Sequence, residues 1–415
     1  MSPDAARAAE KVARQSYGKL VAFLAARSRD VPAAEDALSE ALTTALLVWP
    51  ERGIPGNPEA WLLVAARRNL NHMARRRHTE ANGADTIAMA FDEAEQRMNA
   101  AGNTPFPDER IKLLFACTHP AIDAAIHTPL MLQTVLGIDA RTIALAFVVS
   151  PTTMSQRLVR AKTKIRDTGI PFQVPDTSQL SARLATVLSA IYAAYGLGWD
   201  GLDGEDDSRL ALTEEAIWLG RALLATLPQE PEVFGLLSLM LYCEARRNAR
   251  RTTEGDYVPL DEQDATRWNA IVIAEADRLL HDAGNFDRFG TFQCQAAIQS
   301  VHAQRRRSGR TDWQALETLY RALMLIKPTL GCRVSQAAVI ARSEGIEAGL
   351  TALEAIDSKE VASYQPYWAV RAHLLAQKGD VAAASEAYMT AIGLSESAAV
   401  RRFLSDRQAA LTARL

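Results

Sequence analysis

Residues 139–167 carry the sequence DARTIALAFVVSPTTMSQRLVRAKTKIRD, which predicts two short helices joined by a tight connection. The first helix is expected over residues 141–147, and Val148 with Val149 forms the connection. Ser150 followed by Pro151 is typical of a helix N-cap and of a proline at the first helical position. The second helix is expected over residues 152–167. The segment therefore has the form of a helix-turn-helix.

The predicted second helix has an apolar face and a basic face. Apolar side chains recur at helical spacing at Met154, Leu158, Ala161 and Ile165. Five basic residues and no acidic residue lie between positions 152 and 166. In a DNA-binding helix, small polar side chains contact base edges and the following cations neutralise phosphates. The candidate contacts are Thr152, Thr153, Ser155, Gln156, Arg157, Arg160, Lys162 and Lys164. The alternative is a solvated basic face.

A second pair of amphipathic helices is predicted over residues 34–49 and 59–77. The first has an apolar stripe that ends at Trp49, and it carries the acids Glu35, Asp36 and Glu40. The second has an apolar stripe and an opposite stripe made of Trp61, Ala65, Arg68, His72 and Arg75. An aromatic ring and cations along one helix suit unstacked bases and their backbone. The alternative is a core tryptophan beside a solvated basic helix end.

The C-terminal part of the chain has an internal period. Gly345 and Gly379 are 34 residues apart, as are Leu350 and Ala384. This is the spacing of tetratricopeptide (TPR) repeats, in which each unit is a helix-turn-helix. The last unit matches best, with Trp368, Ala372 and Leu375 in the first helix and Ala384, Tyr388 and Ala391 in the second. A further helix pair is predicted over residues 216–227 and 233–242.

Composition and chain breaks predict an all-α protein of several domains. The chain has 415 residues, of which 48% are hydrophobic and 23% are charged, as in globular proteins. Residues 79–107 are rich in glycine, proline and acids and predict an acidic flexible linker. The predicted domains are therefore 1–78, 108–172 and 173–415, with the linker between the first two.

Charge differs between the two ends of the chain. Residues 1–175 contain 21 basic and 18 acidic side chains, and residues 176–415 contain 25 and 31. The net charges are therefore +3 and −6. The acidic part could fold back on the basic helices, or it could bind a partner peptide on the inner face of the repeats.

Several classes of protein are not expected. No apolar run approaches the ~18 residues of a membrane helix, and Met1 to Gln15 lacks the apolar core of a secretory signal. Four dispersed cysteines, at positions 117, 243, 294 and 332, fit a reducing cytoplasm. The Gly196–Gly201 match to GxGxxG follows a helical pattern rather than a strand. No motif predicts a metal site, a cofactor or enzymatic activity.

The two helix pairs together resemble the extracytoplasmic-function (ECF) sigma factors of RNA polymerase. Residues 34–49 resemble the helix of region 2 that binds the polymerase core, residues 58–77 the segment that melts and recognises the minus-ten element, and residues 141–162 region 4, which recognises the minus-thirty-five element. Residues 113–120 and 164–172 resemble the subgroup with a C-terminal TPR-like domain, which would regulate or support activity in place of a separate anti-sigma factor.

The resemblance implies RNA polymerase core and promoter DNA as partners, and no membrane. It implies polymerase contacts by Glu35, Asp36, Leu38, Glu40 and Trp49. It implies minus-ten contacts by Trp61, Arg67, Arg68, Asn69, Arg75, Arg76 and Arg77. The minus-thirty-five contacts would be the residues of the second helix named above.

The sequence departs from the family pattern at several positions. Ser39 replaces a frequent glutamine, Thr142 a glutamate, and Val148 the usual glycine of the turn. A common aspartate is absent at His72 and Met73. An alternative function is therefore a TPR-type protein-interaction scaffold with a degenerate DNA-binding module. Association with polymerase distinguishes the two hypotheses, because a scaffold has no reason to bind the core.

Overall fold

The computed structural model of the protein describes residues 3–78, 108–199 and 207–412. In these ranges the backbone forms helices and no β-strand, apart from an isolated antiparallel bridge between Arg251 and Tyr257. The prediction of an all-α fold is confirmed. The predicted acidic linker over residues 79–107 lies outside the described residues.

The chain divides into two compact units, residues 1–194 and 195–415. The border lies inside one helix, α8, and not near residue 173, where the sequence places a domain boundary. The helices of the first unit are α1 (Pro3–Ser28), α2 (Val31–Arg52), α3 (Pro58–His78), α4 (Arg110–Cys117), α5 (Ala124–Thr134), α6 (Ala140–Ala146) and α7 (Pro151–Asp167), followed by α8 (Thr177–Trp199) across the border.

The second unit continues with helices that pack against their neighbours in sequence. They are α9 (Asp207–Thr226), α10 (Pro231–Ala245), α11 (Ala270–Gly284), α12 (Thr291–Ala303), α13 (Arg305–Ser308), α14 (Trp313–Ile326), α15 (Leu330–Ser343), α16 (Ile346–Glu354), α17 (Ser358–Val361), α18 (Gln365–Lys378), α19 (Val381–Leu394) and α20 (Ala398–Thr412). The predicted helix pair at residues 216–242 corresponds to α9 and α10.

The first unit contains two groups of helices. Helices α1, α2 and α3 pack on one another around buried leucines such as Leu24, Leu38 and Leu62. Helices α4 to α7 enclose Phe115, Met131 and other buried apolar side chains. The groups contact each other, since α1 packs on α4 and α5, and α2 packs on α7.

The 34-residue period places a glycine with positive φ in two turns between helices of the second unit. Gly345 joins α15 to α16 with φ of +113°, and Gly379 joins α18 to α19 with φ of +89°. Only glycine adopts such backbone angles without strain. Gly309, between α13 and α14, has φ of +71° and is a third such turn. The sequence did not reveal it, because its spacing to Gly345 is 36 residues.

The predicted repeat core is buried. Ala372, Leu375, Ala384, Tyr388 and Ala391 are all within one apolar cluster between α15 and α20, and Trp368 packs against that cluster. Small side chains at these positions allow close helix packing.

Helices α10 and α12 approach closely in the second unit. A Cβ atom on Gly235 of α10 would lie 2.5 Å from the backbone nitrogen of Gln293 in α12. The Glu232 carboxylate accepts hydrogen bonds from the backbone nitrogens of Phe292 and Gln293, at 2.9 and 3.0 Å. This carboxylate satisfies free N–H groups at the start of α12 and interacts favourably with the helix dipole.

Helix α8 is the one described helix that is long and apolar enough to cross a membrane by length and composition. Of its most apolar stretch, 44% is buried within the protein. Arg183 donates to the carbonyl of Phe115 and to the hydroxyl of Thr118, so its first half is anchored to α4. These contacts hold the start of the helix in the first unit.

We expect Gly235→Ala to destabilise the second unit by about 1–3 kcal/mol, because the added methyl group must displace backbone atoms of α12. Gly393→Ala is the matched control, since a Cβ at Gly393 of α19 meets no atom within 4 Å. Alanine there should stabilise the protein by up to about 1 kcal/mol, because glycine is unfavourable in a helix. Urea unfolding of the full chain measures both changes. Equal shifts in the two variants would contradict the close approach of α10 and α12.

Candidate nucleic-acid interface

Helix α7 is built as the sequence predicts. The Ser150 side chain caps it by accepting a hydrogen bond from the Thr153 backbone nitrogen at 3.1 Å, and Pro151 follows. Met154, Leu158, Ala161 and Ile165 are buried against the first unit. The predicted apolar stripe is confirmed, and it determines which side chains of α7 face solvent.

Six of the eight predicted contact residues on α7 are exposed. They are Thr152, Ser155, Gln156, Arg157, Arg160 and Lys164. Thr153 is half-buried, and its hydroxyl lies 2.8 Å from that of Ser150. Arg166, which is also exposed, forms an ion pair with Asp167. The exposed face of α7 therefore carries small polar groups at its start and, beyond them, Arg157, Arg160 and Lys164, which form no ion pair with any described residue.

The turn before α7 has the left-handed backbone conformation that is typical of glycine. Val148 has φ of +52°, in the left-handed region that a β-branched side chain disfavours. Its side chain is 92% exposed. At the start of α6, the Thr142 hydroxyl donates to the Asp139 carboxylate at 2.6 Å, and this bond lowers the pKa of Asp139. With Thr142 and Val148 in place, the backbone of residues 140–167 forms two helices joined by a tight turn.

Helix α2 presents an acidic and apolar face. Asp30 caps the helix by accepting from the Ala33 nitrogen at 3.0 Å. Asp36 and Glu40 are exposed, and Leu47 lies on the same face with an exposed fraction of 69%. The sequence argument did not single out Leu47. An exposed leucine eleven positions after Asp36 is the signal that could have found it.

Two predicted polymerase contacts on α2 are instead core residues in this structure. Leu38 and Trp49 are buried, with exposed fractions of 1% and 2%. Trp49 meets Trp61 of α3 edge to face, with ring centroids 5.5 Å apart. Because these side chains hold α2 on α3, they cannot themselves touch a partner in this conformation.

The predicted minus-ten residues lie along α3. Trp61 is half-buried, Arg67 is exposed and Arg68 is half-buried. The side-chain amide of Asn69 donates to the carbonyl of Ala37 at 3.2 Å, so it links α3 to α2. The side chains of Arg75, Arg76 and Arg77, in the last turns of α3, lie outside the described residues.

A buried ion pair joins α2 to α7. Lys162 Nζ lies 2.7 Å from both carboxylate oxygens of Glu35, and the two side chains are 9% and 17% exposed. Burial raises the pKa of Glu35, and the Lys162 ammonium opposes that change. Sequence patterns assigned the two residues to different surfaces, Glu35 to polymerase and Lys162 to DNA. The structure brings them together and makes both unavailable in this conformation.

Close backbone packing surrounds the pair. A Cβ atom on Gly18 of α1 would lie 1.8 Å from the Val135 carbonyl oxygen after α5. Burial raises the pKa of Tyr17, as do the charges of Glu35 and Asp36. Burial also raises the pKa of the Cys117 thiol, to about 12. Tyr17 and Cys117, two side chains that remain neutral at physiological pH, thus lie near the ion pair, and the charge of Asp36 also acts on Glu35.

Comparison with known proteins identifies a relative that is similar along nearly the whole chain. An uncharacterized protein, R00370 of Rhizobium meliloti (strain 1021), is 34% identical over 392 residues, which cover 94% of this chain and 92% of the relative. A family of unknown function, DUF6596, matches residues 183–284, from within α8 to the end of α11. No solved structure matches the chain.

We expect Lys162→Met to cost about 3–5 kcal/mol of stability at neutral pH, because it leaves the Glu35 charge buried without a partner. The variant also raises the folded-state pKa of Glu35 further above its unfolded value. The loss therefore grows as pH rises through that pKa, and it shrinks at acid pH, where Glu35 is protonated. Urea unfolding across a pH series measures the change.

Two further variants control this experiment. Glu35→Gln combined with Lys162→Met removes both charges and should cost much less than Lys162→Met alone. Arg14→Met breaks the exposed pair of Arg14 with Glu10 and should cost less than about 1 kcal/mol at any pH. A pH-independent loss in Lys162→Met would show that the ion pair does not join α2 to α7.

Proposed function

We propose that this chain, which belongs to the family that includes R00370 of Rhizobium meliloti, is a sigma factor that binds RNA polymerase core and directs promoter-specific initiation. The resemblance of its helix pairs to ECF sigma regions motivates the proposal. The observation that carries it is the exposed basic face of α7. A protein with this function works by binding and in the cytoplasm, and it needs no catalytic residue.

The face of α7 has the chemistry that base and phosphate recognition requires. Thr152, Ser155 and Gln156 come first and can donate or accept hydrogen bonds at base edges. Arg157, Arg160 and Lys164 follow at spacings of three and four residues, so they lie along one side of the helix. Arginine can bind guanine with two hydrogen bonds in the major groove. On this proposal, α7 enters the groove of the minus-thirty-five element.

Helices α2 and α3 supply the remaining contacts. The exposed side chains Asp36, Glu40 and Leu47 form a face that suits a partly basic, partly apolar surface of the polymerase. Trp61, Arg67 and Arg68 lie on α3, which would engage the minus-ten region. Because Leu38 and Trp49 are buried, we assign them the role of holding these helices together.

The alternative of a protein-interaction scaffold rests on the departures at Thr142 and Val148. Asp139 caps α6 by accepting from the backbone nitrogens of Arg141 and Thr142, and the Thr142 hydroxyl also donates to it. Val148 adopts the backbone angle that glycine would have. Neither departure distorts the module, which favours a module that still binds DNA. The repeat unit then regulates or supports the sigma function.

The described conformation would be a closed form of the factor. Glu35 and Lys162 satisfy each other, so α2 and α7 are held together while both could bind other partners. Polymerase binding would separate them, because the polymerase and the promoter need the two helices on different surfaces. The cost of breaking the ion pair would be offset by the new contacts of α2.

We expect the full chain to direct specific transcription by purified core polymerase from its own upstream DNA, and Arg157→Ala to weaken promoter binding by about 1–3 kcal/mol. Footprinting and run-off transcription measure the two effects. Arg7→Ala, which removes an exposed arginine on α1, is the matched control and should leave both unchanged. A chain that neither binds core nor initiates transcription would favour the scaffold function instead.

We expect the distance between α2 and α7 to increase when core polymerase is added without DNA. Fluorophores on Glu51→Cys and Ser155→Cys, both exposed, report this distance by energy transfer, since the four native cysteines are buried. The pair Glu51→Cys and Asn71→Cys, within α2 and α3, should show no change. Unchanged transfer in the first pair, with core bound, would contradict the opening.

A further inference from the structure

The connection between α10 and α11 contains an acidic segment, residues 252–263, here called the acidic loop. It carries Glu254, Asp256, Asp261 and Glu262 and no basic residue. A hydrogen bond of 3.0 Å from the Thr252 nitrogen to the Asp256 carbonyl closes its first turn, where Gly255 has φ of +90°. The acidic loop therefore has an ordered backbone, which fixes the positions of its carboxylates.

Basic side chains from distant helices of the second unit meet the acidic loop. Arg342 of α15 pairs with Asp261 at 3.8 Å, and Arg407 of α20 pairs with Glu262. Arg402 of α20 pairs with Asp256 at 3.3 Å. These helices are separated from the loop by about 80 to 150 residues of sequence, so the fold itself assembles the cationic surface.

The loop backbone is recognised as well as its carboxylates. Arg305 of α13 donates to the carbonyls of Leu260, Asp261 and Gln263, at 2.9, 3.1 and 2.7 Å. These carbonyls belong to the short 3-10 helix Leu260–Glu262 and to Gln263 directly after it, so Arg305 fixes the backbone conformation of the loop there. Tyr257 adds an edge-to-face contact with Phe403 of α20, with centroids 5.5 Å apart.

The basic residues near the acidic loop come from successive helices of the second unit. Arg305 follows α12, and Arg342, His373 and Arg407 lie on α15, α18 and α20, each the first helix of its pair or the terminal helix. His373 and Arg407 are 34 residues apart, one full period. Burial lowers the pKa of His373, as do the charges of Arg407 and Arg342, while Asp261 and Glu262 oppose them. One side of the array thus presents arginines from α13, α15 and α20, together with the imidazole of His373 on α18.

The ion pairs of the loop are exchangeable. Asp256, Asp261 and Glu262 keep exposed fractions of 57%, 48% and 50%. Exposed pairs contribute little to stability, so a competing carboxylate can replace them at small cost. Beside them, between Tyr257, Val258 and Phe403, a groove of about 630 Å³ is open to solvent.

We propose that this basic side of the repeat unit binds an acidic peptide of a partner protein, and that the acidic loop occupies the side as an internal substitute for that ligand. The loop is itself a peptide, and Arg305 binds main-chain carbonyls, which a nucleic acid does not offer. Helical-repeat arrays bind extended ligands along such a face. This inference goes beyond the sigma function and does not depend on it.

The test uses the full chain and a fluorescent synthetic peptide with the loop sequence TTEGDYVPLDEQ. The variant Asp256→Asn, Asp261→Asn and Glu262→Gln should bind this peptide at least about tenfold more tightly than the unmodified chain, because its arginines are released. Adding Arg342→Ala and Arg407→Ala should abolish the gain. Adding Arg278→Ala, at an exposed arginine on α11, should preserve it.

Three outcomes would overturn the proposal. The first is the absence of peptide binding to the neutralised variant, and the second is equal binding of a peptide with Asn and Gln in place of its acids. The third is tighter, arginine-dependent binding of a labelled single-stranded oligonucleotide, which would make the surface a nucleic-acid site.

A measurement on the unmodified chain avoids any effect of the substitutions on folding. Hydrogen exchange at the amides of residues 252–263 should increase when the acidic peptide is in excess, and not with the neutral peptide. Binding without that increase would contradict displacement of the loop.

Discussion

The arrangement of the first unit depends on the ion pair between Glu35 and Lys162. Removing a carboxylate and an ammonium from water is costly, and only close, two-oxygen geometry with a distance of 2.7 Å offsets that cost. The backbones at Gly18 and Val135 also approach closely, but that contact is between uncharged groups. A displaced Lys162 or Glu35 would instead leave a buried charge unpaired. The ion pair therefore sets the register of α7 on α2.

Local rules predicted most of the helices, because caps and periodicity depend on nearby residues. The stripe of Met154, Leu158 and Ile165 correctly identified the buried side of α7. Lys162 was assigned to the exposed side since it lies among four other cations, yet it follows Leu158 by four positions and so lies on the buried stripe. Its partner, 127 residues earlier, has no local signal. The prediction followed the basic composition of the segment, whereas the helical position of Lys162 would have identified it as buried.

The second unit shows the same limit. Two glycine turns were found because they are 34 residues apart, whereas Gly309, which also has a positive φ, was missed because one unit is two residues longer. The acidic loop could not be predicted, because the arginines that define it come from α13, α15 and α20. A repeat array brings such residues together only when its units stack, so the surface belongs to the tertiary fold.

The charge of a region says little about its surfaces. The C-terminal part has a net charge of −6, which suggested that it could mask the basic helices of the first unit. Asp256, Asp261 and Glu262 are already paired with arginines of their own unit. The charge free to attract α7 is therefore smaller than the sum implies, and the same unit carries a basic side. Displacing the acidic loop would release three carboxylates and three arginines together. If an acidic ligand then paired with the arginines, the three carboxylates would stay unpaired, and the negative charge near the rest of the chain would increase.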